Sequence, residues 1–219
     1  MALSLSEIKK YIKRHHLYPK KRWGQNFLID KNILKKIIGK SGINKSDLVV
    51  EIGTGYGSLT KCLAMASKGV LSIEIDQDLE IVLKKELGEY DNIKVLFADV
   101  LGVNIENQLM VAFNLDKAIS YKVCANIPYN ITTPIIFHLL EKCPGMESAI
   151  LMVQKEVAKR ILAPPGNKDY GLLTLMVMYY AQTHFLMDVS SNCFYPKPEV
   201  DSAIIQITPH KTKRVFTLD

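Results

Sequence analysis

Three short strings in this 219-residue chain hold residue types that can do chemistry together. The first, Glu51-Ile52-Gly53-Thr54-Gly55-Tyr56-Gly57-Ser58, puts alternating glycines at the end of an apolar run. Glycine allows positive φ and lets a ligand approach the main chain, so such a turn between a strand and a helix can cradle a nucleotide. The dinucleotide pattern G-x-G-x-x-G requires glycine at position 58, where Ser58 stands. Glu74 closes the next apolar run, where a carboxylate accepts both hydroxyls of a ribose. Asp99 closes the third run and can accept from the exocyclic amine of adenine. The Val100 N–H then serves a ring nitrogen, and Ile75 packs on the adenine face. These residues describe an adenine nucleoside ligand with no demand for a diphosphate. S-adenosylmethionine fits best, with other adenine nucleotides left open.

The second string is Asn126-Ile127-Pro128-Tyr129. The amine of adenine is a poor nucleophile because its lone pair is delocalised into the ring. Accepting its two N–H bonds on the Asn126 side-chain oxygen and on a carbonyl of the Ile127–Pro128 step would turn that lone pair toward a methyl donor. Pro128 fixes the backbone, and Tyr129 can stack on the base. No strong base is needed, since the proton becomes acidic as the N–C bond forms, and in-line positioning supplies most of the acceleration. Taken alone, the same string also fits an ordinary turn. The third string is Phe194 before Tyr195-Pro196-Lys197-Pro198: an aromatic on a stiff extended loop, able to close on a base opposite Tyr129 or to serve as a core residue.

An alternation of strands and helices has to position these groups. Strands are expected at 48–53, 70–75, 93–99, 121–127 and 148–154, separated by helices at 58–66, 77–87, about 103–111 and 133–141. Apolar strands divided by helices mean a parallel sheet buried on both faces. Helices at 155–162 and 172–181 follow, then strands 183–190 and 202–209, whose helix-free connection makes them an antiparallel pair. The fold class is therefore α/β and Rossmann-like, with a seven-stranded, mostly parallel sheet and one antiparallel strand near the edge. Ser4-x-x-Glu7 before Ile8, Tyr11 and Ile12 predicts a capped helix over about 5–15.

The composition, 48% apolar and 23% charged, is that of a folded domain and excludes wholesale disorder. The formal net charge of +6 is localised: residues 1–22 hold seven cations and one anion, while the remainder balances. A basic arm on a neutral body reads as a contact to nucleic acid or as a solvated leader. Four separated cysteines without a C-x-x-C pair suggest neither zinc nor disulfides, so no metal is expected and a reducing cytoplasm fits. The longest apolar segment, 172–181, is too short for a membrane span.

Four segments together closely resemble the small-subunit ribosomal RNA adenine dimethyltransferases of the KsgA type. They are Lys21-Arg22-Trp23-Gly24-Gln25-Asn26-Phe27-Leu28, Glu51 to Thr60, Asn126 to Ile131 with Thr133-Pro134-Ile135, and Phe194 to Ser202. Gln154-Lys155-Glu156-Val157-Ala158 and Tyr170-Gly171 add to the likeness. The resemblance implies a class I S-adenosylmethionine-dependent methyltransferase fold. It also implies transfer of two methyl groups to N6 of each of two adjacent adenines near the 3′ end of small-subunit rRNA, in ribosome biogenesis. Asn26 and Leu28 would hold the methionine end of the cofactor, Gly53 and Gly55 would line its path, and Glu74, Ile75, Asp99 and Val100 would take the nucleoside. Asn126 would serve both cofactor and target amine, with Pro128 setting the loop and Tyr129 and Phe194 sandwiching the base. Lys20, Lys21 and Arg22 would hold RNA phosphates.

Gly53-Thr54-Gly55 departs from the family's common Gly-Pro-Gly, a change that requires no new chemistry. Three parts are expected: a basic arm 1–22, a catalytic domain 23–209 and a basic tail or linker 210–219. Relatives continue into a small helical domain that the sequence given lacks. A cytoplasmic monomer is expected, without membrane contact. The rivals are an erythromycin-resistance-type methyltransferase of large-subunit rRNA and a non-catalytic RNA-binding assembly factor.

Overall fold

The computed structural model describes residues 3–117 and 119–211, the Lys21 side chain excepted. The basic tail falls almost wholly outside the described residues, Lys213 and Arg214 included. Seven strands form one sheet: β2 (Leu48–Ile52), β3 (Gly69–Glu74), β4 (Ile93–Phe97), β5 (Tyr121–Asn126), β6 (Met146–Gln154), β7 (Ala181–Val189) and β9 (Ser202–Pro209). Their spatial order is β4-β3-β2-β5-β6-β9-β7. All pairings are parallel except those of β9, which runs antiparallel to both β6 and β7. The expected sheet, reversed strand included, is the one observed.

Strand composition explains the burial. Every residue of β2 and β3 is buried, as a parallel sheet covered on both faces requires. One face carries α1 (Leu5–His15), α2 (Lys31–Ser41), α3 (Ser58–Ala66) and α4 (Glu80–Leu87); Ile8, Leu34, Leu63 and Leu83 share a core there with Val49. The other carries α5 (Ile105–Phe113), α6 (Thr132–Lys142), α7 (Lys155–Ile161) and α8 (Leu172–Tyr180), packed over Val50, Val123 and Leu151. Among the described residues no helix is long and apolar enough to cross a membrane.

A helix and a strand pair go beyond the sequence reading, which places no helix or strand between Trp23 and Lys45. Helix α2 lies there, N-capped by the Asp30 side chain, which accepts from Asn32 and Ile33 N–H, and closed by left-handed Gly42. Two-residue strands β1 (Phe27–Leu28) and β8 (Phe194–Tyr195) pair antiparallel outside the main sheet. The expected helix 77–87 divides into a 3-10 turn, Gln77–Leu79, capped by Asp76, and α4.

The basic arm docks on the domain. Helix α1 has the predicted capping box between Ser4 and Glu7, buries Ile8 and Ile12, and ties Tyr11 to Glu86 of α4, which also binds Lys61 of α3. Its cations Lys10, Lys13 and Arg14 remain exposed.

Candidate active site

In a parallel α/β sheet the loops leaving the carboxyl ends of the central strands diverge and leave a crevice. Here that crevice has a volume of about 700 Å³, counting its open mouth, and collects the ends of β2, β3, β4 and β5. Segment 20–27 borders it as a strap, with residues 23–27 in its lining. Asn26, Gly53, Gly55, Glu74, Ile75, Asp99, Val100, Asn126, Pro128 and Tyr129 all line it.

The wall at β2 and β3 is made of backbone and carboxylate. Gly53 has φ +83°, and a Cβ there would project toward the cleft with only the Asn126 carbonyl near, at 3.6 Å; a side chain would be strained and would fill ligand space. Gly55 is glycine for another reason: at φ +54° its Cβ would lie 2.9 Å from the Phe27 ring. Glu74 is buried and already oriented, with Gly55 N–H donating to Oε2 (2.8 Å) and Asp76 N–H to Oε1 (2.8 Å). Each oxygen keeps a lone pair for a ribose hydroxyl. Burial pushes this carboxyl above its usual range, against the N–H donors of Asp76 and Gly55, and the neighbouring Asp76 charge adds to the rise. Ile75 is exposed in the cleft, an apolar surface for a flat ring. Asp99 Oδ1 accepts from Leu101 N–H at 3.0 Å, which fixes the carboxylate at the strand end while its other oxygen can face a ligand.

Glu51, by contrast, faces the core beneath the loop. Thr60 and Ser72 hydroxyls both donate to Oε2 at 2.6 Å, and Thr54 shares a 2.6 Å bond with Ser72. The departure at position 54 thus joins a buried hydroxyl network. Burial pushes the Glu51 carboxyl up to about 8, against the bonds from Ser72 and Thr60.

At the β5 wall, Asn126 Nδ2 donates to the Asn26 carbonyl (2.9 Å), which leaves Oδ1 to accept from a ligand. The Pro128 carbonyl accepts from Ile131 N–H and Thr132 Oγ1, both at 3.2 Å. Within the loop, therefore, the Ile127 carbonyl is the candidate second acceptor. Tyr129 is fixed by a 2.5 Å bond between its hydroxyl and Ser202 Oγ, and burial raises its phenol.

Three expectations meet a different arrangement. Phe194 is only 3% exposed; it lies in the core opposite Leu28 in the β1–β8 pair and is not among the residues lining the cleft. Leu28, 6% exposed, sits in the same core and supports the strap from behind. Lys20 is no open phosphate ligand: its ammonium lies 2.7 Å from Asp76 and 2.5 Å from Asp78, and over the Trp23 ring. Two carboxylates already neutralise it, because the loop after β3 is acidic where the strap reaches it. Arg22 is exposed and stacks on Trp23, its guanidinium carbon 4.4 Å from the ring centre.

Trp23, Gln25 and Asp76 are functional candidates that sequence reasoning missed. Their signal was present, since Trp23 and Gln25 belong to the Trp23-Gly24-Gln25-Asn26-Phe27 string and Asp76 follows Glu74 by two.

The described geometry accommodates an adenine nucleoside carrying a short polar extension: acceptors for two hydroxyls, an apolar ring surface, a carboxylate beyond it, and a glycine where the chain approaches most closely. The family model for ribosomal RNA adenine dimethylase matches residues 17–218. The ribosomal RNA small subunit methyltransferase A of Lachnoclostridium phytofermentans is 45% identical over 201 residues, covering 91% of this chain and 68% of that protein. Among solved structures, a dimethyladenosine transferase from Plasmodium falciparum aligns at TM-score 0.72 and 36% identity, over 84% of this chain and 64% of the other. The 23S rRNA methyltransferase ErmE aligns at TM-score 0.74 and 29% identity, over 88% of this chain and 73% of its own. The chain spans about two thirds of the length of such relatives.

Proposed function

The chain belongs to the ribosomal RNA adenine dimethylase family, and from that premise we propose that it methylates N6 of two adjacent adenosines near the 3′ end of small-subunit rRNA, with S-adenosylmethionine as methyl donor. The observation that carries this reading is that Glu74, Asp99 and the Asn126 amide share one cleft. A nucleoside held by the first two thus ends beside the third.

Glu74 and Asp99 bind the ribose and adenine of the cofactor, Val100 N–H and Ile75 complete the adenine site, and Asn26 meets the methionine end. When bound, the cofactor supplies an electrophilic methyl group. Asn126 Oδ1 and the Ile127 carbonyl accept the two N–H bonds of the target amine and turn its lone pair into the cleft. Tyr129, braced by Ser202, offers a ring for stacking. The reaction needs no side-chain base, since the nitrogen releases its proton to solvent once alkylated, and the residues contribute orientation. Of Lys20, Lys21 and Arg22, Lys20 is held by carboxylates and the Lys21 side chain lies outside the described residues, so exposed Arg22 and the outward cations of α1 supply the phosphate surface. The enzyme acts as a monomer in the cytoplasm, where small subunits mature.

The test is incubation of the chain with labelled S-adenosylmethionine and either unmethylated small subunits or protein-free large-subunit RNA, followed by nucleoside mapping. Dimethyladenosine at two adjacent positions of the small-subunit RNA is expected. Label on a single adenine of the large-subunit RNA supports the rival to which the ErmE likeness points, and label in neither rejects the proposal.

A further inference from the structure

The strap over the cleft is fastened on both sides. Toward β5, Asn126 Nδ2 donates to the Asn26 carbonyl and Asn130 Nδ2 to the Arg22 carbonyl, both at 2.9 Å. Toward β3, Lys20 reaches both Asp78, at 2.5 Å, and Asp76, and Asp76 is the carboxylate on which the strap's contacts converge. Asp76 Oδ1 takes the Lys20 ammonium at 2.7 Å, and Oδ2 accepts from Gln25 Nε2 at 2.9 Å. Gln25 returns to the strap, its Oε1 accepting Lys20 N–H at 2.8 Å. Asp76 is 3% exposed, and its own N–H donates to Glu74. One residue therefore holds the strap by its side chain and the ribose-facing carboxylate by its backbone. Charge-assisted bonds to a buried carboxylate are strong, so the β3 fastening is the firmer of the two.

We propose that Asp76 is a positioning residue for the cofactor: through Lys20 and Gln25 it latches strap 20–26 over the cleft, so that the bound nucleoside leaves only when this latch opens. This rests on the reading of the cleft as the cofactor site. The strap lines the cleft with Trp23, Gly24, Gln25 and Asn26, so its departure would expose whatever lies beneath. The latch acts at the β3 wall, whereas the groups assigned to the target amine, Asn126 Oδ1 and Ile127 O, lie at the opposite wall, where the Asn126 amide holds the Asn26 carbonyl by a separate bond. Breaking it is therefore expected to change cofactor residence far more than the methyl-transfer step.

Trp23 is the one tryptophan of the chain and sits on the strap, so its fluorescence reports the latch. Dissociation of S-adenosylmethionine and S-adenosylhomocysteine from the full chain would be followed by Trp23 emission and, independently, by chase of labelled cofactor. Lys20→Met is expected to speed dissociation at least roughly tenfold, the scale of one charge-assisted bond, and Lys20→Arg to recover most of the wild-type rate. Asp76→Asn should also speed dissociation, and the double variant should fall short of the product of the two single effects, because the two residues share one contact while Lys20 also holds Asp78 and Asp76 also holds Gln25. The Lys20→Met ammonium loss leaves the core untouched, so the test survives if Asp76→Asn folds poorly. Wild-type dissociation rates in a cofactor-binding Lys20→Met chain would overturn the latch alone. Failure of the wild-type chain to bind either nucleoside would overturn the proposed function and the latch with it.

Discussion

The two walls of the cleft are built on different plans. At the β2–β3 wall the polar groups are oriented before any ligand arrives: Glu74 receives two backbone N–H bonds, and Gly53 is held at positive φ. At the β5 wall the orientation comes from side chains reaching across long sequence distances, Asn126 to Asn26 and Tyr129 to Ser202. There the proposed second aromatic, Phe194, is folded into the core. The difference teaches that the nucleoside half of the site is a property of the sheet itself. The base half depends on the strap and on the loop before β9, and Phe194 must leave its packing to meet a base.

The largest effect is expected at the base wall. Asn126→Ala should lower single-turnover methyl transfer on small subunits by ~10²–10³, the scale of losing one preorganised hydrogen-bonding group. Turnover within a few-fold of wild type would remove amine holding from this wall. At the other wall, Glu74→Ala should weaken S-adenosylmethionine binding by ~10²-fold in calorimetry, since the acceptors of two ribose hydrogen bonds are lost. An unchanged affinity there would sink the contrast between a preformed and an unformed half.

Phe194→Leu sharpens the comparison further. If the ring swings out to stack on the target, kcat/KM for RNA falls by ~10-fold, a stacking contribution of about 1–3 kcal/mol, together with a lower Tm. A lower Tm with unaltered kcat/KM identifies Phe194 as a core residue only.

The last effect is on stability alone and concerns the network beneath the glycine loop. The folded Glu51 carboxyl sits at about 8 against an ordinary 4.5, so between these values the native chain keeps a proton that the unfolded chain has released. Folding then takes up a proton, and stability declines as pH rises through this window, by at most ~1.4 kcal/mol per pH unit. Glu51→Gln should flatten that decline in urea unfolding measured from pH 5 to 8, and parallel slopes in the two proteins would show that Glu51 does not titrate there.

Much of this was legible in the chain. Continuous apolar runs such as Leu48–Ile52 read as buried parallel strands because both faces need cover, and the glycines and the strand-end acids Glu74 and Asp99 mark the crevice because strand termini are fixed by the same pattern. Helix α2 escaped notice although Asp30 and Gly42 cap it, because its apolar face, Leu34 and Ile37, is short between lysines. The fate of Phe194 was not legible, since an aromatic before a proline-rich loop has the same local pattern whether it points into a cleft or a core.

The sequence by itself determined the alternation of strands and helices, the glycine turn and the types of side chain at each strand end, all of which depend on neighbours within a few positions. Only the tertiary structure decided how the excess charge of the arm is used. Lys20 looked like one more cation in a basic run, yet it lies against Asp76 and Asp78, more than fifty residues away. Whether a surface charge meets solvent, phosphate or a carboxylate depends on what the fold brings beside it, and Coulomb attraction acts across that distance in space, with no trace in local spacing.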